Sequence, residues 1–415
     1  MMFSSDKPSE PSLVGFKTSS QLAKQIFAAD LPEQFIRTIP TQSLYCIIQN
    51  LGLESSGDLI EITTTEQLRL ILDFDLWEAD NIDEGKFWSW LALTDSVADL
   101  KILQKIFQSV DLKIIAFFIS KYITSVVFED PTDAPPDINY FTPDKGSTWI
   151  KVDTGDEENN FLLNRLIALI FETSADLFYQ LLAIPMVSTQ SQLEEESYND
   201  REKRLTTEGI PDKELAAEVH APFYLKNAQE KLAKLGDREQ RGRDILPITP
   251  LIYNSDMASP LKRLFLSIKN LEECESELTF ILNAAIVRWN IDFHDSDSMN
   301  FLLEQVKGSI AVGIELMEGS NNSDLAEIYE VLGLQSLYRL GFTRLMQLHK
   351  EALQFSKDHL RVIYDTNKDD FTLIAHIQEP FPSLPCYEKH SQHSKQAIAS
   401  LKEVNDISAK LKTLL

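Results

Sequence analysis

Asp73, Asp75 and Glu84 stand at the first, third and twelfth positions of a calcium-loop pattern in ILDFDLWEADNIDEG, Ile71 to Gly85. Such a loop needs further oxygen ligands at alternating positions and a glycine at the sixth, where the chain turns sharply. Here the fifth position is Trp77, and the sixth is Glu78, whose Cβ opposes a positive φ. Asp80 occupies the eighth position, normally apolar. The stretch reads better as an acidic junction between two packed helices. One starts near Thr65 and carries Gln67, Leu68, Leu70, Ile71 and Leu72; the next starts near Asp83 and turns Phe87, Trp88, Trp90 and Leu91 inward. Carboxylates at the start of that second helix complement its dipole.

Other chemistry-bearing residues meet the same test. Asp292, His294, Asp295 and Asp297 in DFHDSDSMNFLLEQ offer imidazole and oxygen ligands, yet they also make an ordinary helix start. His390 and His393 in EKHSQHSK have no compact ligand spacing. PDKGST, Pro143 to Thr148, lacks the leading glycine of a phosphate loop, and its lysine precedes the glycine. No G-x-S-x-G elbow occurs, and Cys46, Cys274 and Cys386 are isolated. No metal, cofactor or catalytic residue is expected, which leans against an enzyme.

The 415 residues carry 64 acidic and 39 basic side chains, a formal charge of -25, which repels nucleic acid and anionic lipid alike. The basic run KLAKLGDREQRGRD, Lys231 to Asp244, is interleaved with acids and reads as a helix end and linker. The unpaired cysteines point to a reducing compartment and the absence of a signal-peptide pattern to the cytoplasm. LKIIAFFISKYITSVVF, Leu112 to Phe128, is interrupted by Lys121 and too short to span a bilayer.

With 14 glycines and apolar residues recurring at three- and four-residue spacing, the chain is expected to be mainly α. The expected order is a disordered lead-in over 1–17, a domain of stacked short helices forming a superhelical array over 18–125, and a proline-rich loop with one small β-hairpin over 126–156. A larger helical bundle over 157–386 and an amphipathic helix over 387–415 complete it. In the hairpin, Ile138 and Tyr140 are expected on one strand and Trp149, Ile150 and Val152 on the other. Thr41 is expected to cap a helix ending at Gly52, and Asp200 to pair with Arg204 four residues on. Leu401, Val404, Ile407, Leu411 and Leu414 form the stripe of the last helix, for docking on this chain or on a partner.

The stretches IPTQSLYCIIQNLGLESSGDLIEITTTEQLRLILDFDLWEADNID, LEEESYNDREKRLTTEGIPDKELAAEVHAPF and LQSLYRLGFTRLMQLHKEA resemble segments of a bacterial all-helical family known only as a domain of unknown function. Its L-D-x-D-x-W stretch corresponds to Leu72–Trp77. Its E-x-x-x-R-x-x-R-L-x-x-x-G-x-P segment corresponds to Ser197, Arg201, Arg204, Leu205, Gly209 and Pro211, with Ser197 departing from the acid unless Glu196 supplies it. The resemblance implies no active site. The first hundred or so residues are also similar to the helical cytoplasmic domain of bacterial magnesium transporters, which would make Asp73, Asp75 and Asp80 carboxylates of interest.

These observations lead to the expectation of a cytoplasmic helical scaffold or adaptor that binds another protein, without nucleic acid or membrane insertion and with its oligomeric state open. Asp73, Asp75, Trp77, Arg201 and Arg204 are the candidate contact residues, although a tryptophan at a junction usually packs and an arginine on a charged helix usually pairs. The competing expectation is an enzyme or a small-molecule or divalent-cation sensor with a polar pocket between helical domains.

Overall fold

The computed structural model describes residues 19–93, 100–129, 131, 134–234, 259–291, 295–320, 324–358, 368–386 and 395–413. The lead-in over 1–17, Asp292 and His294, the basic run beyond Lys234, His390, His393 and Leu414 lie outside the described residues. Those residues fall into two compact units, one within Phe16–Leu205 and one within Thr206–Leu415. The protein is mainly helical.

In the first unit the short helices are α1 (Ser19–Ala28), α2 (Pro32–Arg37), α3 (Thr41–Leu51), α4 (Gly57–Ile62), α5 (Thr65–Asp75), α6 (Glu84–Ala92), α7 (Leu100–Ser109) and α8 (Leu112–Tyr122). None is long enough to be stable alone, so each depends on the apolar face it buries. Thus α3 buries Leu44, Ile47 and Ile48, and α5 buries Leu68, Ile71 and Leu72. Local chemistry sets their ends. Thr64, one residue before the expected position, caps α5: its side chain accepts from the Gln67 N–H, and the Gln67 side chain accepts from the Thr64 N–H. Asp83 caps α6 by accepting from the Lys86 N–H. Thr41 is not a cap. The chain enters α3 at Pro40, whose fixed φ and missing N–H suit that place, and Thr41 is the first helical residue. Gly52 leaves α3 with φ 85°, a conformation that a Cβ would strain.

The acidic junction folds as a tiny hairpin, β1 (Trp77–Glu78) against β2 (Asn81–Ile82), turning through Ala79 at φ 57°. The larger hairpin pairs β3 (Ile123–Val127) with β4 (Thr148–Val152), so the expected return strand forms, but its partner is not Ile138 and Tyr140. Ile138 lies in a loop, 90% exposed. The actual partner continues directly from α8, where four of the five residues Ile123 to Val127 are β-branched. Lys145 and Gly146 make the turn before β4 with positive φ, and the Asp144 carboxylate accepts from the Thr148 N–H. Helices α9 (Glu157–Thr173), α10 (Ala175–Ala183) and α11 (Gln190–Thr207) follow, with a 3-10 turn at Ile184–Met186 between the last two.

The second unit contains α12 (Lys213–Val219), α13 (Leu225–Ala233), α14 (Ser259–Ser267) and three longer helices: α15 (Leu271–Trp289), α16 (Ser296–Ser320) and α17 (Leu325–Asp358). Then come α18 (Lys368–Ile377), a third antiparallel pair of β5 (Ser383–Pro385) with β6 (Lys395–Ala397), and α19 (Leu401–Thr413). Helices α16 and α17 cross almost backbone to backbone: a Cβ built on Gly313 would lie 2.0 Å from the Leu337 carbonyl oxygen, and one on Gly341 1.8 Å from that of Ser309. Helix α17 is broken at Gly333, with φ 72° and ψ 168°. The Glu277 carboxylate of α15 accepts from the Leu334 and Gln335 N–H groups at 2.7 and 3.2 Å, capping the segment that restarts there. The last helix docks on its own chain, with Val404, Ile407 and Leu411 in this unit's core.

Candidate functional site

The five residues singled out from the sequence converge in the first unit. Asp73 and Asp75 lie two residues apart on α5, about 200° around the helix, and so address different neighbours. Arg201 and Arg204, three apart on α11, share a face.

Arg204 grips Asp73 with two parallel bonds, Nε to Oδ2 at 2.7 Å and Nη2 to Oδ1 at 2.8 Å. Its remaining amine reaches Asp111 Oδ2 at 3.3 Å. The other oxygen of Asp111 caps α8 by accepting from the Lys113 N–H, so one guanidinium ties the end of α5 to the start of α8. Arg201 Nε donates to the Asp73 backbone carbonyl at 2.6 Å, one of the acceptors that the last turn of α5 leaves without a helical partner. The same guanidinium lies 5.7 Å from the ring centres of both Trp77 and Tyr198. Those two rings meet edge to face at 5.6 Å. The Glu194 carboxylate, also on α11, accepts from the Ile82 N–H and holds the small hairpin.

Asp75 turns the other way. Its Oδ1 accepts from Tyr45 Oη, Gln49 Nε2 and Lys86 Nζ, and its Oδ2 from Trp90 Nε1 at 2.8 Å. One buried carboxylate thereby joins α3, α5 and α6 through four donors. Burial raises the Asp73 carboxyl above its ordinary value, and the two arginines work against that rise. Burial likewise lowers Arg201; for Arg204 burial is the largest single influence and also lowers it, but the bonds and charges of Asp73 and Asp111 together leave it raised.

The carboxylates of the opening pattern are all engaged within the unit. Asp73 faces Arg204, Asp75 faces donors, and Glu84 is bonded to Lys121 and Tyr122. A cation at this loop would have to displace internal cations already holding those oxygens. Among the described residues no group of three or more histidine, cysteine, aspartate or glutamate side chains could hold a metal ion. The expected Asp200–Arg204 pair does not form: Asp200 takes Lys113 at 2.6 Å and Lys203 at 2.9 Å, which hold its carboxyl down to about 2. Ser197 is fully buried, and the neighbouring Glu196 lies 3.4 Å from Lys113.

Tyr45, Gln49, Lys86, Trp90, Asp111 and Tyr198 complete the network, and the sequence reasoning did not find them as site members. Trp90 was legible only as a packing residue of its helix, and Asp111 as a cap-type residue before an apolar helix. No described helix is long and apolar enough to cross a membrane. No curated protein and no solved structure matches the chain, so the similarity to the magnesium-transporter domain gains no support. The resemblance carried by Leu72–Trp77 and by the arginines that close on it is of a different standing: residues 14–414 match DUF6178, a family of unknown function, and the chain belongs to that family.

Proposed function

We propose that this protein is a non-catalytic helical scaffold of the cytoplasm that binds another protein. The five candidate residues serve this role from within, by fixing α11 against α5 and α8, since the charged groups of Asp73, Asp75, Arg201 and Arg204 are bonded inside the unit and Trp77 packs there. The observation that carries the reading is the apolar exposure around α10. Met186 and Val187, on the turn that follows it, are 79% and 83% exposed, and Tyr179 on α10 is 41% exposed. Helix α10 packs on α8 and on that turn, so these side chains belong to one region of a strongly acidic chain. Large exposed apolar groups gathered in one region mark interaction surfaces more than solvated ones do. A partner suited to it presents apolar side chains rimmed by lysine or arginine, because the charge of -25 steers basic surfaces toward it.

The test is affinity purification of the tagged chain from its own host with mass spectrometry, run beside a Met186→Asp, Val187→Asp variant. A stoichiometric partner retained by the parent and lost by the folded variant is expected. Recovery of no stoichiometric partner overturns the reading.

A further inference from the structure

We infer that the free edge of β3 pairs with the same edge of a second copy of this chain, antiparallel about a two-fold axis at Ser125. This goes beyond the scaffold reading, because the contact is main chain to main chain and the partner is the protein itself.

The pairing inside the hairpin fixes which groups are free. Toward β4, the Tyr122 carbonyl accepts from the Asp153 N–H and the Phe128 N–H donates to the Ser147 carbonyl. Alternation along an antiparallel strand then turns Thr124 and Val126 toward β4, and Ile123, Ser125 and Val127 away from it. Ile150, which stands opposite Ser125, gives both its N–H and its carbonyl to Phe141 on the far side of β4. The hairpin is therefore closed on the β4 side and open on the β3 side. Outside the ladder with β4, no backbone hydrogen-bond partner among the described residues meets the backbone of Ser125 or Val127. Val127 is 69% exposed and Thr124 is exposed.

Proteins ordinarily blunt such an edge with a lysine, a proline or a bulge. Ile123–Val127 carries none of these. Its sequence is also complementary to itself when reversed. Pairing about Ser125 puts Ile123 of one copy opposite Val127 of the other, Thr124 opposite Val126, and Ser125 opposite Ser125. Apolar meets apolar, β-branched meets β-branched, and the smallest side chain faces itself at the axis. No residue of Ile123–Val127 is charged. In a chain of charge -25, such an uncharged strand lets two copies pair without placing a carboxylate within the pairing itself. The product is a four-stranded antiparallel sheet with an isologous interface.

The experiment is light scattering on the full chain during size exclusion, across a dilution series. The parent is expected at twice the chain mass at the concentrated end. Ser125→Pro removes the outward N–H without touching the bonds to β4, and it is expected at one chain mass with unchanged circular dichroism. Val127→Lys, at an exposed side chain, is expected to do the same and decides the matter where the proline variant misfolds. In a Cys46→Ser, Cys386→Ser background, Ser125→Cys is expected to cross-link on mild oxidation, since paired Cα atoms at such an axis lie about 5.5 Å apart. Val127→Cys, displaced from the axis, is expected not to. A parent that stays at one chain mass throughout, or a folded Val127→Lys that stays at twice that mass, overturns the proposal. Either result leaves the scaffold reading where it stands, because its test reads a different protein at a different surface.

Discussion

At the scale of single residues, the Asp73–Arg204 pair shows why an acidic junction that resembles an ion site is an internal fastening. Removing one member leaves the other buried and uncompensated, so Asp73→Ala or Arg204→Ala is expected to cost about 3–5 kcal/mol in urea denaturation of the first unit. Replacing both with apolar residues of similar volume is expected to cost clearly less than the two single losses added. Additive losses would mean that the bidentate contact is not what couples them. His220 in the second unit gives a pH-dependent counterpart. Its Nδ1 donates to the Ala216 carbonyl at 2.6 Å, its Nε2 has no partner among the described residues, and the rings of Trp289, Tyr338 and Phe342 surround it. Burial first, with Arg288 adding to it, lowers the imidazole from 6.5 to about 4. The folded form therefore binds fewer protons than the unfolded form between those values. The resulting stability is present above pH 6.5 and is lost as pH falls to about 4, by roughly 3 kcal/mol in total. Urea midpoints of the second unit measured across that window are expected to fall with pH, and the slope is expected to flatten in His220→Phe.

At the scale of elements, close packing makes the sharpest demand. Gly313 and Gly341 face each other's helices with no room for a methyl group, and what would be struck is backbone, which cannot swing aside. Alanine raises intrinsic helix stability by about 1 kcal/mol at such positions. Overpacking is nevertheless expected to win, so Gly313→Ala and Gly341→Ala should each lower the thermal midpoint, with a net loss of about 1–3 kcal/mol. Gly319, near the end of α16 with nothing within 4 Å of an added Cβ, supplies the control: Gly319→Ala is expected to be neutral or stabilising. The elements themselves were largely legible. Apolar spacing located α5 and α6, and Asp83 announced a helix start because a cap is a local device. The residues around the candidate site were legible in part. Asp73, Asp75, Trp77, Arg201 and Arg204 stood out by type, but Arg204 meets Asp73 across 131 positions and Tyr45 meets Asp75 across 30. No local pattern encodes a partner at that distance. Local preference also misassigned Arg204: the neighbour four residues away was available, and the buried carboxylate took it instead, since a bidentate bond away from water outweighs an exposed helical pair. β3 escaped notice because its apolar run continues that of α8 without a glycine or proline between them.

At the scale of the whole molecule, two units with separate cores bear on how the chain folds. Every residue of the large hydrophobic cluster built on α15, α16 and α17 lies between Ala216 and Leu411, so none comes from the first unit. The first unit has its own interior, with Ile36, Leu44, Ile48, Leu68, Ile71, Trp90 and Phe118 buried, and its own polar fastening at Asp73 and Asp75. A core that recruits nothing from outside its unit does not need the other unit to exclude water from it. A fragment ending after Thr207, which preserves all of α11 and with it Arg201 and Arg204, is therefore expected to keep helical circular dichroism and to unfold in one cooperative transition. Ending the fragment before Gln190 removes both arginines and Glu194. It leaves Asp73 buried without its cation and the small hairpin without its anchor, and that fragment is expected to melt broadly or to aggregate. The comparison separates two views of α11. If the longer fragment melts no more cooperatively than the shorter one, α11 is a connector, and the contacts around Asp73 contribute little to holding the first unit together. A sharp transition regained with those 18 residues makes α11 the element that completes this unit.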